Sequence, residues 1–122
     1  MARILVIDDE EEICEILRES LGAAGHEVVV AANGRAGMRA HRERPADLVI
    51  TDIFMPEQEG IETIIELRRD FPDVKIIVMS GGGRLAGGDY LLAARQLGAA
   101  RAVEKPFHLR AMLDAVRDVL DA

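Results

Sequence analysis

The sequence predicts an α/β fold: a parallel sheet with helices packed on both faces. Three observations predict it. Five short apolar runs alternate along the chain with five segments of helical periodicity, and that alternation implies parallel strands joined by right-handed crossovers. The runs are rich in Ile and Val and do not alternate strictly with polar residues, as expected for strands buried on both faces. Acidic residues stand at the ends of two of them, where parallel α/β sheets bind their ligands.

Strands are expected near 3–8, 27–31, 47–51, 75–79 and 100–104. The first helical pattern follows Asp9 and carries Ile13, Ile16, Leu17, Leu21 and Ala24 before Gly25 stops it. Asp9 can cap this helix, with Glu12 at the capping-box position. Glu10, Glu11 and Glu12 read as a solvated helix start that suits the dipole. A second helix covers about 34–43 and ends before Pro45. The third carries Ile61, Ile64, Ile65 and Leu67, with Pro72 after it. The fourth, about 88–97, carries Leu91, Leu92, Ala94 and Leu97 before Gly98. The last carries Leu109, Met112, Leu113, Val116, Val119 and Leu120.

A length of 122 residues favours one domain spanning 1–122. Aromatic residues make up only 3%, so aliphatic side chains must build the core. The formal net charge of −7 argues against a nucleic-acid or anionic-membrane surface, which needs clustered Lys and Arg. The one cysteine, Cys14, allows no internal disulfide and reads as a small structural residue, in keeping with a reducing cytoplasm. The four-residue apolar run before Asp8 is too short for a signal peptide, and no segment approaches a membrane span. His26, His41 and His108 are scattered and read as surface residues.

The chemistry gathers at the strand ends. Asp8 and Asp9 follow Ile4-Leu5-Val6-Ile7, and Asp52 follows Leu48-Val49-Ile50-Thr51. If these strands are neighbours, three carboxylates converge and need a proton or a cation among them. With all-oxygen ligands, Mg²⁺ is the natural guest. Ser80 ends the fourth run and Lys105 the fifth. Acid, acid, hydroxyl and ammonium can together hold a metal ion and a phosphoryl group. Asp52 is then the nucleophile for in-line attack, giving an acyl phosphate.

The motifs Ile7-Asp8-Asp9-Glu10, Thr51-Asp52-Ile53-Phe54-Met55-Pro56 with Gly60, Met79-Ser80-Gly81 and Glu104-Lys105-Pro106-Phe107 occur in order at the predicted strand ends. Over residues 2–121 the chain resembles the receiver domains of two-component response regulators. The resemblance implies a flavodoxin-like, doubly wound sheet of order 2-1-3-4-5. It implies that Asp52 accepts a phosphoryl group from a histidine kinase or a histidine phosphotransfer protein. It implies Mg²⁺ held directly by Asp9, Asp52 and the Phe54 carbonyl, with Asp8 assisting through water. By the same resemblance Ser80 is the hydroxyl switch, Lys105 pairs with the phosphoryl group and the Lys105-Pro106 peptide is cis. The expected role is a cytoplasmic interaction switch acting on a downstream protein through the surface of the fourth helix, fifth strand and last helix. Slow autodephosphorylation, no direct nucleic-acid or membrane contact, and a monomer or phosphorylation-dependent dimer belong to that expectation.

Other readings fit less well. A receiver fragment of a larger DNA-binding regulator is disfavoured by the initial Met, the helical C-terminus and the lack of a linker. A haloacid-dehalogenase-like phosphatase would want a second Asp where Phe54 stands. Gly81-Gly82-Gly83-Arg84-Leu85-Ala86 fits a dinucleotide fingerprint but follows the fourth strand rather than opening the fold. The chain also departs from the family. Ala102 stands where the family usually has Tyr or Phe, three positions before its Lys. The stretch from Ser80 to Lys105 is a few residues longer than usual, with five glycines in Gly81–Asp89. That loop is expected to be mobile without phosphate and, with the start of the fourth helix, to carry the switch; Tyr90 there either packs on the helix or replaces the missing aromatic. Phe54 and Gly82 flank the expected approach of hydrolytic water.

Overall fold

A computed structural model describes residues 1–53, 59–81, 95–105 and 107–122, without the side chains of residues 59, 60, 80 and 81. Its strands are β1 (Arg3–Ile7), β2 (Glu27–Ala31), β3 (Leu48–Asp52), β4 (Lys75–Gly81) and β5 (Arg101–Lys105). Its helices are α1 (Glu11–Ala23), α2 (Gly34–Glu43), α3 (Glu59–Asp70) and α4 (Leu109–Asp121). Of the helix predicted over 88–97, residues 95 and 96 are described and helical. Tyr90 and most of the Gly81–Asp89 loop lie outside the described residues.

All five strands pair in parallel in the expected order β2-β1-β3-β4-β5. The register sets Ile7 beside Thr51, Asp52 beside Met79 and Gly81 beside Lys105. The ends of β1, β3, β4 and β5 therefore reach the same edge. Strand boundaries differ slightly from expectation: β1 stops before Asp8, while β4 continues through Gly81 and β5 through Lys105.

The period-two geometry of a strand divides the core between two faces. Val49, Ile76 and Val78 pack with Met38, Ile64 and Leu67 on the α2–α3 face. Ile50, Ile77 and Met79 pack with Leu17, Leu21, Met112 and Val116 on the α1–α4 face. Each such fully buried aliphatic side chain contributes roughly 1.5–3 kcal/mol relative to leaving it in water. Ile16, Ile65 and Leu109 were expected on buried faces but are exposed. Beside Ile16 and Ile65 the adjacent Leu17 and Ile64 are the buried positions.

Helix ends are fixed by local bonds. Gly25, at φ 99°, closes α1 in a Schellman arrangement, with Gly25 N–H donating to Gly22 O (3.0 Å) and His26 N–H to Leu21 O (3.1 Å). Glu10, rather than Asp9, occupies the N-cap position of α1 and makes no side-chain cap bond. Asn33 caps α2 by accepting from Ala36 N–H at 2.8 Å. The last turn of α4 has no basic residue. Lys75 of β4 supplies the charge instead, donating to the carbonyls of Val119 (2.9 Å) and Ala122 (3.2 Å).

His41 is a correction to the sequence reading, since it is 1% exposed. Its Nδ1 accepts from Ala46 N–H at 3.1 Å, and its ring meets Phe71 edge-on at 4.4 Å. Burial, followed by the charges of Arg3 and Arg42, holds its pKa below the ordinary 6.5. The folded state thus refuses a proton that the unfolded chain accepts. Stability contributed by neutral His41 is present above that value and is lost as pH falls through the window beneath it.

Three substitutions test this packing. A Cβ on Gly37 would sit 2.4 Å from Ile7 Cδ1 and 2.7 Å from Cγ1, whereas one on Gly22 meets nothing within 4 Å. Urea titration should show Gly37→Ala destabilising by about 1–2 kcal/mol, overpacking outweighing helix propensity. Gly22→Ala should stabilise by about 0.5–1 kcal/mol. His41→Gln should lose less stability than wild type between about pH 6.5 and pH 5 in the same assay.

Candidate functional site

The C-terminal edge of the sheet collects the acidic motifs. Asp8 follows β1 directly, and its N–H donates to Ala31 O of β2 at 3.1 Å, so the chain leaves the sheet in a fixed direction. Its Oδ1 accepts the Glu10 N–H at 2.8 Å, an Asx-type turn that precedes α1. Asp52 is the last residue of β3, and the next N–H, of Ile53, donates to Met79 O at 2.8 Å. Cys14, one turn into α1, donates its thiol to Asp8 O at 3.4 Å. Burial, then the Asp8 charge, pushes that thiol up to about 11, so it stays protonated as a packing residue.

Lys105 ends β5 and brings its ammonium into this edge. Nζ donates to Asp8 Oδ2 (2.8 Å), Glu10 Oε1 (3.0 Å) and Asp52 Oδ2 (3.1 Å). The side chains of Asp8 and Asp52 are 0% and 5% exposed, that of Lys105 11%, and that of Glu10 61%. Desolvation alone would lower the Lys105 pKa, but the hydrogen bond to Asp8, the charge of Asp52 and the hydrogen bond to Glu10 outweigh it and hold the ammonium firmly charged. Burial pushes the Asp8 carboxyl up, while Lys105 and the Glu10 N–H pull it back. Among the described residues, three carboxylates stand against one ammonium, an excess of negative charge that suits a further cation.

Carboxylate oxygens of Asp8, Glu10 and Asp52 lie within 4.8 Å of one another. Such an all-oxygen donor set fits a hard divalent ion such as Mg²⁺. Asp9, the expected direct ligand, is exposed and not part of this group. Glu10 takes a place that the sequence reading gave to the helix dipole alone. Its signal was its position immediately after the acidic pair, on the turn out of β1, where a side chain can reach back over the strand ends. Ser80 lies in β4 with Glu104 beside it. The Ser80 side chain, Phe54 and Pro106 lie outside the described residues. Ala102, the departure on β5, pairs with Val78 and packs half-buried on the α2–α3 face. A cavity of about 860 Å³ that includes His26, Asp47, Phe71 and Lys75 in its lining contains none of the motif residues.

Comparison with known proteins agrees with this geometry. The family model for the response regulator receiver domain matches residues 4–117. The response regulator receiver protein CpdR of Brucella abortus is 34% identical over 100% of this chain and 99% of its own length. The DNA-binding transcriptional regulator NtrC of Azospirillum brasilense is 34% identical over 99% of this chain, which spans only 24% of that protein. A crystal structure of a response regulator receiver domain protein from Clostridium thermocellum superposes with a TM-score of 0.89 at 30% identity, covering 99% of this chain and 95% of the other. On the sheet order, the strand-end motifs and these matches, the chain belongs to the response regulator receiver domain family of two-component signalling.

Proposed function

We propose that Asp52 accepts a phosphoryl group and that the chain is a single receiver domain over residues 1–122, switching a protein-interaction surface. The observation that carries this reading is the Lys105 ammonium held at 3.1 Å from Asp52 and 2.8 Å from Asp8 at the edge of the sheet. In the transfer, an Asp52 carboxylate oxygen forms a bond to phosphorus as the bond from phosphorus to the donor's imidazole nitrogen breaks. The electron pair leaves with the imidazole, which takes its proton from solvent. An ionised carboxylate is the required nucleophile, and the ammonium keeps one available at neutral pH. Lys105 then donates to phosphoryl oxygens that would otherwise crowd against Asp8. The Ser80 hydroxyl would donate to another oxygen and thereby couple phosphorylation to the chain around it.

Asp8, Asp9 and Asp52, with the Phe54 carbonyl, would hold Mg²⁺, and Glu10 stands within reach of the same group. Bound there, the ion supplies charge neutralisation of the phosphoryl oxygens. The donor is a histidine kinase or a histidine phosphotransfer protein, and the output is a downstream protein. The state would be a monomer or a phosphorylation-dependent dimer in the cytoplasm. The net charge of −7 argues against direct nucleic-acid contact, and no helix among the described residues is long and apolar enough to cross a membrane. A second reading, the receiver part of a longer DNA-binding regulator, is favoured by the match to NtrC, of which this chain spans 24%.

Intact mass after incubation with Mg²⁺ and acetyl phosphate tests the proposal. One phosphoryl adduct is expected on the wild type and none on Asp52→Asn. No adduct on the wild type, or an adduct that survives the substitution, overturns it.

A further inference from the structure

We propose that Glu10 positions Lys105 and sets donor preference, holding back dianionic small phosphodonors relative to less charged ones. The proposal rests on the reading of Asp52 as acceptor. A lysine ammonium has three N–H donors. In this structure Asp8, Glu10 and Asp52 engage all three. A phosphoryl group arriving at Asp52 needs Lys105, so one of these bonds must open. Asp8 and Asp52 are buried and cannot recover their lost bond from water. Glu10 is 61% exposed and can. Its bond is therefore the one that water can replace, whereas Asp8 and Asp52 give up theirs only to a metal ion or to the incoming group.

Until it is released, the Glu10 carboxylate opposes an incoming anion twice. It offsets the Lys105 charge, and it adds a negative charge beside the pocket. The Glu10 backbone is pinned by its N–H bond to Asp8 Oδ1, so its side chain moves from a fixed base. The opposition scales with the charge of the donor. Acetyl phosphate is a dianion near neutral pH. Phosphoramidate is a monoanion there, because its nitrogen is protonated. Both transfer the same group to the same oxygen, with the bond from phosphorus to acetate oxygen or to ammonia nitrogen breaking and the electron pair leaving with that atom.

The test measures initial rates of adduct formation with each donor in Mg²⁺, by intact mass, for wild type and Glu10→Gln. Glutamine keeps the shape and removes the charge. The acetyl phosphate rate should rise about three- to tenfold, the effect of one unit charge a few ångströms away in a partly solvated site. The phosphoramidate rate should rise by less, so the ratio of the two rates increases. A ratio unchanged or lowered in Glu10→Gln overturns the proposal, because loss of a purely structural contact would scale both rates together. Absence of any adduct on the wild type with either donor would instead defeat the assignment of Asp52.

Discussion

The C-terminal edge of this sheet depends on one ammonium. Parallel pairing places Asp8 and Asp52 at adjacent strand ends, and both are buried. Two unshielded carboxylates at such range would repel and drive one of them to take a proton. Lys105 opposes that outcome by donating to both and to Glu10. It reaches them from the far side of β4, across a sheet whose register carries β5 as far as Gly81 of β4. A shift of β5 by one residue would turn Lys105 to the opposite face. Sheet register and charge balance are thus one constraint.

The rest of the fold serves that register. Aliphatic residues alternate between the two faces of β3 and β4, so neither strand can slip without moving its whole buried set into the wrong layer. Gly37 lets α2 approach Ile7, the residue before Asp8, more closely than any side chain would allow. Lys75 ties the end of α4 to the start of β4. The backbone of the acidic edge is fixed by Asp8 N–H to Ala31 O and Ile53 N–H to Met79 O.

Much of this was legible in the sequence. The strand-end positions of Asp8, Asp52 and Lys105 followed from apolar runs whose lengths suit buried parallel strands, and the sheet order followed from the family resemblance. What escaped had physical reasons. His41 lies on the buried stripe Gly34, Gly37, Met38 and His41, spaced i, i+3, i+4, i+7. The two glycines hid that stripe, because a residue without a side chain gives no hydropathy signal. Glu10 was read from its helix position, which predicts a dipole partner but not a contact with Lys105, 95 residues away. Ile16, Ile65 and Leu109 look like core in a helical pattern, yet the pattern does not say how wide a stripe the sheet covers.

Mg²⁺ affinity, measured by isothermal titration calorimetry on the wild type and on Lys105→Met, tests most directly whether Lys105 is the resident counter-ion of this edge. A divalent ion entering the wild-type pocket competes with an ammonium already bonded to Asp8, Glu10 and Asp52. The account predicts tighter Mg²⁺ binding once that competitor is gone. Unchanged or weaker binding in Lys105→Met would contradict it.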